Sequence, residues 1–125
     1  VFRTPFVDLG LVPEAGSSLL APRILGQQGA FALLGLGEGF PAERALAAGL
    51  IYKVVAEDEL EAATLAAARD IAAKPPEALR IARDLMRGDR SELVARIKEE
   101  GEHFRARLVS DEACAALVAF MTRKK

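Results

Sequence analysis

The sequence has few of the residues that bind metals or form disulfides, and little net charge of either sign. Its only cysteine is Cys114 and its only histidine is His103, so it has no internal disulfide and no Cys/His group with metal-ligand spacing. The formal net charge of −1 gives no sign of the basic surface expected of a nucleic-acid-binding protein. No apolar run approaches the roughly 20 residues that cross a membrane. We therefore expect a cytoplasmic protein without a metal, a nucleic-acid partner or a membrane span.

The chain is rich in alanine and in patterns with helical periodicity. Apolar residues make up 51% of the 125 residues, which is enough for the core of one domain. Much of this share is alanine, which favours helices but buries little area per residue. We therefore expect a thin core that something else completes. Because the chain opens on Val1 and enters an apolar run at once, we also expect it to be a piece of a larger protein.

Strand-like patterns occur only in the first part of the chain. Residues 2–11 carry apolar side chains around Pro5, which favours an edge strand or an irregular strand. Residues 50–55 have the pattern of a second, short apolar strand. Between them, the positions of glycine and proline predict three short helices over residues 13–25, 27–36 and 41–48, with Gly26 separating the first two.

After residue 56 the pattern becomes regular and amphipathic. It predicts helices over residues 57–74, 77–87 and 91–109, the first of which ends at Pro75 and Pro76. A last helix begins at Ser110, a favourable N-cap residue that acidic residues follow. Cys114 lies near the apolar face of that helix, so we predict a small buried side chain. For His103 we predict a solvated or packing role rather than catalysis.

Glu14 is the candidate catalytic residue. Pro13 suits the first position of a helix, which would place Glu14 in the first turn, where the helix dipole favours a negative charge. Gly16 lets another backbone or a ligand approach closely. A glutamate in a first turn is more often a favourable charge than a catalyst. The following residues 15–18 also suggest a phosphate cradle, but they lack the lysine of a P-loop.

Several longer motifs occur in a consistent order along the chain. They are LGLVPEAGSS at residues 9–18, LxPRxxG at 20–26, GExFxAxxAxxAGLI at 37–51, AKPPEA at 73–78 and SDE at 110–112. Together they resemble the crotonase superfamily, the enoyl-CoA hydratases and isomerases, and most of all the isomerases. The similarity extends over essentially the whole chain, but it covers only the C-terminal half of the usual family domain.

The resemblance implies an α/β crotonase-like fold (the ClpP/crotonase fold), of which this chain is the C-terminal portion, mostly helical with one or two short strands. Residues 1–56 would end the crotonase core, and residues 57–125 would form a helical region for oligomerisation and closure of the acyl-CoA site. It further implies an acyl-CoA thioester substrate, no cofactor beyond that coenzyme A, and a homotrimer or hexamer. Lys124 and Lys125 would either meet the coenzyme A phosphates or simply end the last helix.

The resemblance also bears on the reaction. The two N–H donors that stabilise the thioester enolate in this family would belong to the other half, so we expect this chain alone to be inactive. Hydratases use two glutamates, and Phe6 occupies one of those positions; phenylalanine transfers no proton, which disfavours hydration.

Glu14 falls where several isomerases of the family carry a catalytic Glu or Asp. We therefore predict enoyl-CoA isomerisation through a dienolate, with Glu14 as the catalytic residue and Phe6, Leu11, Pro13 and Gly16 as substrate-binding residues. Two alternatives remain. The chain is a non-catalytic helical association module, or it belongs to a hydratase-related lyase.

Overall fold

The computed structural model describes residues 1–122, which fold into six α-helices in two compact units. The first unit contains residues 1–52 and the segment that starts at Ser91; the second contains residues 53–90. The helices are α1 (Ser17–Leu34), α2 (Ala42–Ala47), α3 (Leu60–Ala72), α4 (Pro76–Arg87), α5 (Ser91–Leu108) and α6 (Asp111–Thr122). Lys124 and Lys125, for which both a contact with phosphates and a helix-ending role are open, lie outside the described residues. The division at residue 56 inferred from the resemblance stays a prediction.

The strand predicted over residues 2–11 is wrong, because no β-strand forms within residues 1–122. Phe2 makes one antiparallel bridge to Phe40, with two N–H···O bonds of 2.9 Å. The pairing goes no further, since Pro5 has no N–H to donate and Phe6 adopts a helical backbone conformation. Val7–Leu9 then forms a turn of 3-10 helix that ends at Gly10.

The second predicted strand, over residues 50–55, is also absent. The backbone N–H groups of Leu50 and Ile51 both donate to the carbonyl oxygen of Ala45 in α2, at 2.9 and 3.4 Å. These two residues therefore finish the C-terminus of α2 instead of starting a ladder, and no neighbouring strand among the described residues pairs with the rest of the segment.

Helix α1 confirms the predicted interruption at Gly26 but not the predicted start. The backbone leaves the helical region at Gly26, with φ 68° and ψ 167°. The first turn begins at Ser17 rather than at Pro13, because Gly16 adopts a left-handed conformation with φ 79°. Glu14 therefore precedes the helix, and the predicted placement of Glu14 in its first turn is wrong.

Helix α6 begins as the sequence predicts. The Ser110 hydroxyl accepts the N–H of Ala113 at 3.2 Å and donates to the carbonyl oxygen of Arg107 at 2.7 Å, which joins the end of α5 to the start of α6. Arg107 donates from Nε to the carbonyl oxygen of Gly10 at 2.9 Å. A Cβ atom at Gly10 would lie 2.8 Å from the backbone nitrogen of Ala113. Helix α6 therefore packs directly on the N-terminal segment.

The core of the first unit is small, as the composition predicts. Of the eight buried apolar residues in the described part of the chain, five are alanines. Most of them form one cluster, made of Ala21, Ala30, Ala32, Leu33, Leu34 and Phe40, on which Phe6 and Leu25 pack. Phe40 is 1% exposed and is the largest side chain in this core, which explains why its bridge to Phe2 anchors the N-terminal segment.

The second unit consists of α3, α4 and a short 3-10 turn, Glu57–Glu59. Helix α3 ends at Ala72 and α4 begins at Pro76, as Pro75 and Pro76 predict. On the surface of α4, Arg80 binds Glu77 at 2.7 Å and Asp84 at 3.0 Å. The bond from Arg80 holds the pKa of the Glu77 carboxyl below its usual value.

None of the helices in residues 1–122 is long and apolar enough to span a membrane.

Candidate functional site

The residues around Glu14 form a tight turn that leads into α1. The N–H of Ser17 donates to the carbonyl oxygen of Glu14 at 3.0 Å. Ala15 and Gly16, between them, both have positive φ, 58° and 79°. A left-handed conformation is free of strain for glycine but costs about 1–2 kcal/mol for alanine. Neighbouring groups must therefore hold this turn in place.

The Glu14 side chain projects from this turn into solvent. Glu14 is exposed, and its carboxylate has no hydrogen-bonding or ionic partner among the described residues. It is therefore available to a molecule from outside this part of the chain, which is a requirement for a proton-transferring group.

Gly16 lies where another element approaches closely, as the sequence predicts. It is buried, and a Cβ atom there would come within 2.4 Å of Leu93 Cδ1 and 3.4 Å of Ile97 Cγ1, both on α5. The neighbour at Gly16 is thus helix α5 of the same chain. Its predicted contact with substrate stays a prediction.

Glu100, for which the sequence patterns predict no role, binds the backbone amides of Gly16 and Ser18 at the start of α1. Its Oε2 accepts the N–H of Gly16 at 2.6 Å and its Oε1 accepts the N–H of Ser18 at 2.9 Å. The residue is only 5% exposed. It supplies the negative charge that the positive end of the helix dipole favours, a role the sequence analysis gave to Glu14.

A signal for Glu100 was present in the sequence. Leu93, Ile97 and Phe104 define the apolar stripe of α5, and Glu100 lies three residues after Ile97 and four before Phe104. A charged residue at a stripe position must be buried with a partner, because an unpaired buried charge is very costly. The partner is 84 residues away in sequence, so spacing alone did not identify it.

A cavity of about 150 Å³ lies beside the Glu100 carboxylate. Arg96 donates to Ser18 Oγ at 3.3 Å and pairs with Glu99 at 3.0 Å, so the charges along one wall are matched. The lining residues are Val12, Pro13, Ser18, Arg96, Glu99, Glu100 and His103. Pro13, a predicted substrate-binding residue, and His103 are thereby brought to the same cavity.

Phe6 and Leu11 lie in the loop that precedes the turn, and neither is among the residues that line this cavity. Phe6 is half-buried and packs against the apolar cluster, and its carbonyl oxygen accepts the N–H of Leu11 at 2.8 Å. The bond closes the loop that carries Gly10. The role of both side chains in substrate binding stays a prediction.

The remaining polar groups of interest are possible metal ligands, the Ser17 hydroxyl and the Cys114 thiol. Within residues 1–122 no group of three or more His, Cys, Asp or Glu could hold a metal ion. The Ser17 hydroxyl is buried and has no hydrogen-bonding partner in the described part of the chain. Cys114 is exposed, which overturns the prediction of a buried thiol: Ala113, one position earlier, takes the fully buried place against Gly10.

The whole chain is similar to proteins of one family. The sequence profile of the family described as enoyl-CoA hydratase/isomerase matches residues 1–125. Enoyl-CoA delta isomerase 2 of Rattus norvegicus is 36% identical over 124 residues, which are 98% of this chain and 32% of the rat protein.

The similarity extends to the fold. An enoyl-CoA hydratase/isomerase from Pseudoalteromonas atlantica T6c superposes with a TM-score of 0.93 at 38% identity, covering 99% of this chain and 50% of that chain. OdaA of Pseudomonas aeruginosa superposes with a TM-score of 0.86 at 45% identity, over 95% of this chain and 49% of that one. The chain thus spans about a third of the rat protein and about half of these solved chains.

Proposed function

Because this chain belongs to the enoyl-CoA hydratase/isomerase family, we propose that it forms part of an enzyme that processes acyl-CoA thioesters. The reaction we propose is migration of the carbon–carbon double bond of an enoyl-CoA. The observation that carries this proposal is the unpaired, exposed Glu14 carboxylate on a constrained turn, and similarity to an isomerase over 98% of the chain supports it.

Glu14 would move one proton in this reaction. Its carboxylate takes a proton from C2 of a 3-enoyl-CoA, and the electron pair of that C–H bond delocalises onto the thioester oxygen and, through the C3–C4 double bond, onto C4. The protonated Glu14 then returns the proton to C4, which gives a 2-enoyl-CoA and restores the carboxylate. Two N–H donors that bind the thioester oxygen stabilise the dienolate between these steps.

We propose that residues 1–125 are inactive by themselves, since the resemblance places both N–H donors outside this chain. Loss of one such donor lowers a rate by about 10²–10³-fold. Coenzyme A enters as part of the substrate, and the proposed chemistry needs no further cofactor.

The test is a Glu14→Gln substitution in the native protein, expressed from its complete reading frame. Glutamine keeps the size of the side chain but cannot take up the proton, so we expect kcat for 3-enoyl-CoA isomerisation to fall by about 10²–10⁴-fold. Glu43→Gln is the matched control, because Glu43 is an exposed glutamate near a helix N-terminus, in the first turn of α2. Turnover that is unchanged in Glu14→Gln would remove Glu14 from the mechanism.

The phenylalanine at position 6 leads to different expected activities for an isomerase and for a hydratase-related lyase. Phenylalanine cannot activate water, so the native protein should not hydrate a 2-enoyl-CoA at a rate comparable with isomerisation. Measuring 3-hydroxyacyl-CoA formation decides this point. Hydration as fast as isomerisation would favour the lyase.

A non-catalytic association module is the second candidate, and exposed apolar side chains favour it. Leu85, Met86 and Met121 are 78%, 80% and 82% exposed, and such side chains are frequent at protein–protein contacts. We propose that this association is homo-oligomeric, as a trimer or hexamer. Sedimentation of the native protein measures the oligomer, and an oligomer without isomerase activity would support the module.

A further inference from the structure

The carboxylate of Glu100 is the most deeply buried charge in the described part of the chain, and the proposed reaction does not use it. Both of its oxygens are occupied, one by the N–H of Gly16 and the other by the N–H of Ser18. A carboxylate is stable inside a protein only when such bonds replace those to water. The position therefore requires a carboxylate that faces the start of α1.

The bonds from Glu100 hold one end of the turn that carries Glu14. Gly16 is the last residue of that turn before α1, and Ala15, one residue earlier, has the strained φ of 58°. Ser17 closes the turn with its bond to Glu14. If the N–H of Gly16 lost its acceptor, the strain at Ala15 could relax by rotating the Glu14–Ala15 peptide, and the Glu14 side chain would point elsewhere.

The carboxylate that neighbours Glu100 on α5 is already engaged. Glu99, its neighbour on α5, is paired with Arg96, and the guanidinium of Arg96 also donates to Ser18 Oγ. Leu93 fills the space on the remaining side of Gly16. The carboxylate that binds these two amides thus comes from α5, 84 positions along the chain from Gly16.

We propose that Glu100 is a positioning residue, which holds the turn of residues 14–17 so that the Glu14 carboxylate is aimed at the substrate carbon. This inference rests on the proposed function, in which Glu14 carries the proton. In this role Glu100 acts on the turn and not on the substrate. Its removal should therefore lower kcat and leave KM almost unchanged.

Glu100→Gln in the native protein tests the proposal. Glutamine has one carbonyl oxygen and one amide nitrogen that cannot accept a hydrogen bond, so one of the two backbone bonds is lost. A misplacement of about 1 Å can reduce a rate by about 10²-fold, and we expect a loss of kcat of that order with KM within about twofold. Glu102→Gln, an exposed glutamate on the same helix, should behave as the wild type. The proposal is overturned if Glu100→Gln keeps full kcat at a temperature where both proteins are folded.

A second variant separates positioning from loss of the fold. In Ala15→Gly/Glu100→Gln, glycine removes the strain of the turn, so the Tm should recover part of what Glu100→Gln loses. The glycine also loosens the turn, and kcat should stay low. Recovery of kcat together with the Tm would show that Glu100 acts only through stability, which contradicts the proposal.

Hydrogen exchange of the backbone amides tests the positioning role of Glu100 independently of whether Glu14 transfers a proton. In the full chain of Glu100→Gln, whichever of the Gly16 and Ser18 amides loses its acceptor should exchange roughly 10- to 100-fold faster than in the wild type, because it loses a hydrogen bond to a charged group. The other amide, now bonded to a neutral oxygen, should exchange faster by a smaller factor. Unchanged exchange overturns the proposal whatever the reaction is. If Glu14→Gln is inactive while Glu100→Gln is fully active, the proposed function stands and this inference alone fails.

Discussion

Replacement of Gly10 by alanine should be the most destabilising glycine substitution in the first unit. The new Cβ would lie 2.8 Å from the nitrogen and 2.9 Å from the Cα of Ala113, and 3.0 Å from the carbonyl carbon of Glu112. All three are backbone atoms, so no side chain can rotate away. Gly10→Ala must therefore push α6 off the N-terminal segment or distort both.

The expected loss of stability in Gly10→Ala is the sum of a conformational cost and a packing cost. Gly10 has φ 69°, and alanine in that conformation costs about 1–2 kcal/mol. Insertion of a methyl group into a packed contact costs about 1–3 kcal/mol more. The sum is roughly 2–5 kcal/mol, a large share of the ~5–15 kcal/mol that stabilises a typical domain. At roughly 4 °C per kcal/mol for a chain of this size, the Tm should fall by about 8–20 °C.

Substitutions at two other glycines distinguish the conformational cost from the packing cost. Gly49 has φ 75° but no atom within 4 Å of its missing Cβ, so Gly49→Ala should show only the conformational cost of about 1–2 kcal/mol. Gly101 lies inside α5, and the nearest atom to its missing Cβ is Arg105 Nη1 at 3.9 Å, an ordinary van der Waals distance. Gly101→Ala should therefore stabilise by about 0.5–1 kcal/mol.

Urea and thermal unfolding followed by circular dichroism measure all three variants. If Gly10→Ala costs no more than Gly49→Ala, the close approach of α6 to the N-terminal segment does not exist in solution.

Three further predictions concern α4 and α6. Ser110→Ala removes the acceptor for the Ala113 N–H and should destabilise by about 0.5–2 kcal/mol in urea unfolding; equal stability would exclude the cap. The pKa of Glu77, measured by NMR, should lie below the usual value for a glutamate because Arg80 binds its carboxylate, and it should rise in Arg80→Gln and in 1 M salt, which screens the pair. Because the pKa of Glu77 is lower in the folded state than in the unfolded state, the Glu77–Arg80 pair stabilises the protein at neutral pH. This stabilisation is lost as the pH falls through the folded-state pKa of Glu77. Cys114 should react with a thiol reagent in the folded protein as fast as in urea; strong protection in the folded state would show a buried thiol.

The sequence was sufficient to predict features that depend on neighbours a few residues away. The break at Gly26, the stop at Pro75 and the cap at Ser110 all follow from backbone chemistry that acts within one turn. The family resemblance was also correct, because it rests on ordered motifs across the whole chain rather than on one pattern.

Features that depend on distant contacts were not predicted. Residues 2–11 have strand-like composition, but a strand needs a partner, and only Phe2 finds one, at Phe40. Likewise, the sequence placed Glu14 at the helix N-terminus by proximity, whereas the charge that binds there is Glu100. The prediction that Cys114 is buried relied on the apolar face of α6. The residue of that helix that contacts Gly10 is Ala113, one position earlier.

The long span of chain between Gly16 and Glu100 has a consequence for biosynthesis. The two residues are 84 positions apart, and a ribosome adds about 5–20 residues per second, so Glu100 is synthesised roughly 4–17 s after Gly16. Throughout that interval the nascent chain carries Glu14 without the carboxylate that binds the Gly16 and Ser18 amides. A contact this distant also forms slowly, because loop closure must precede it. The candidate catalytic turn is therefore among the last parts of the molecule to mature, and a chain released before α5 is made would contain Glu14 but not the bonds that orient it.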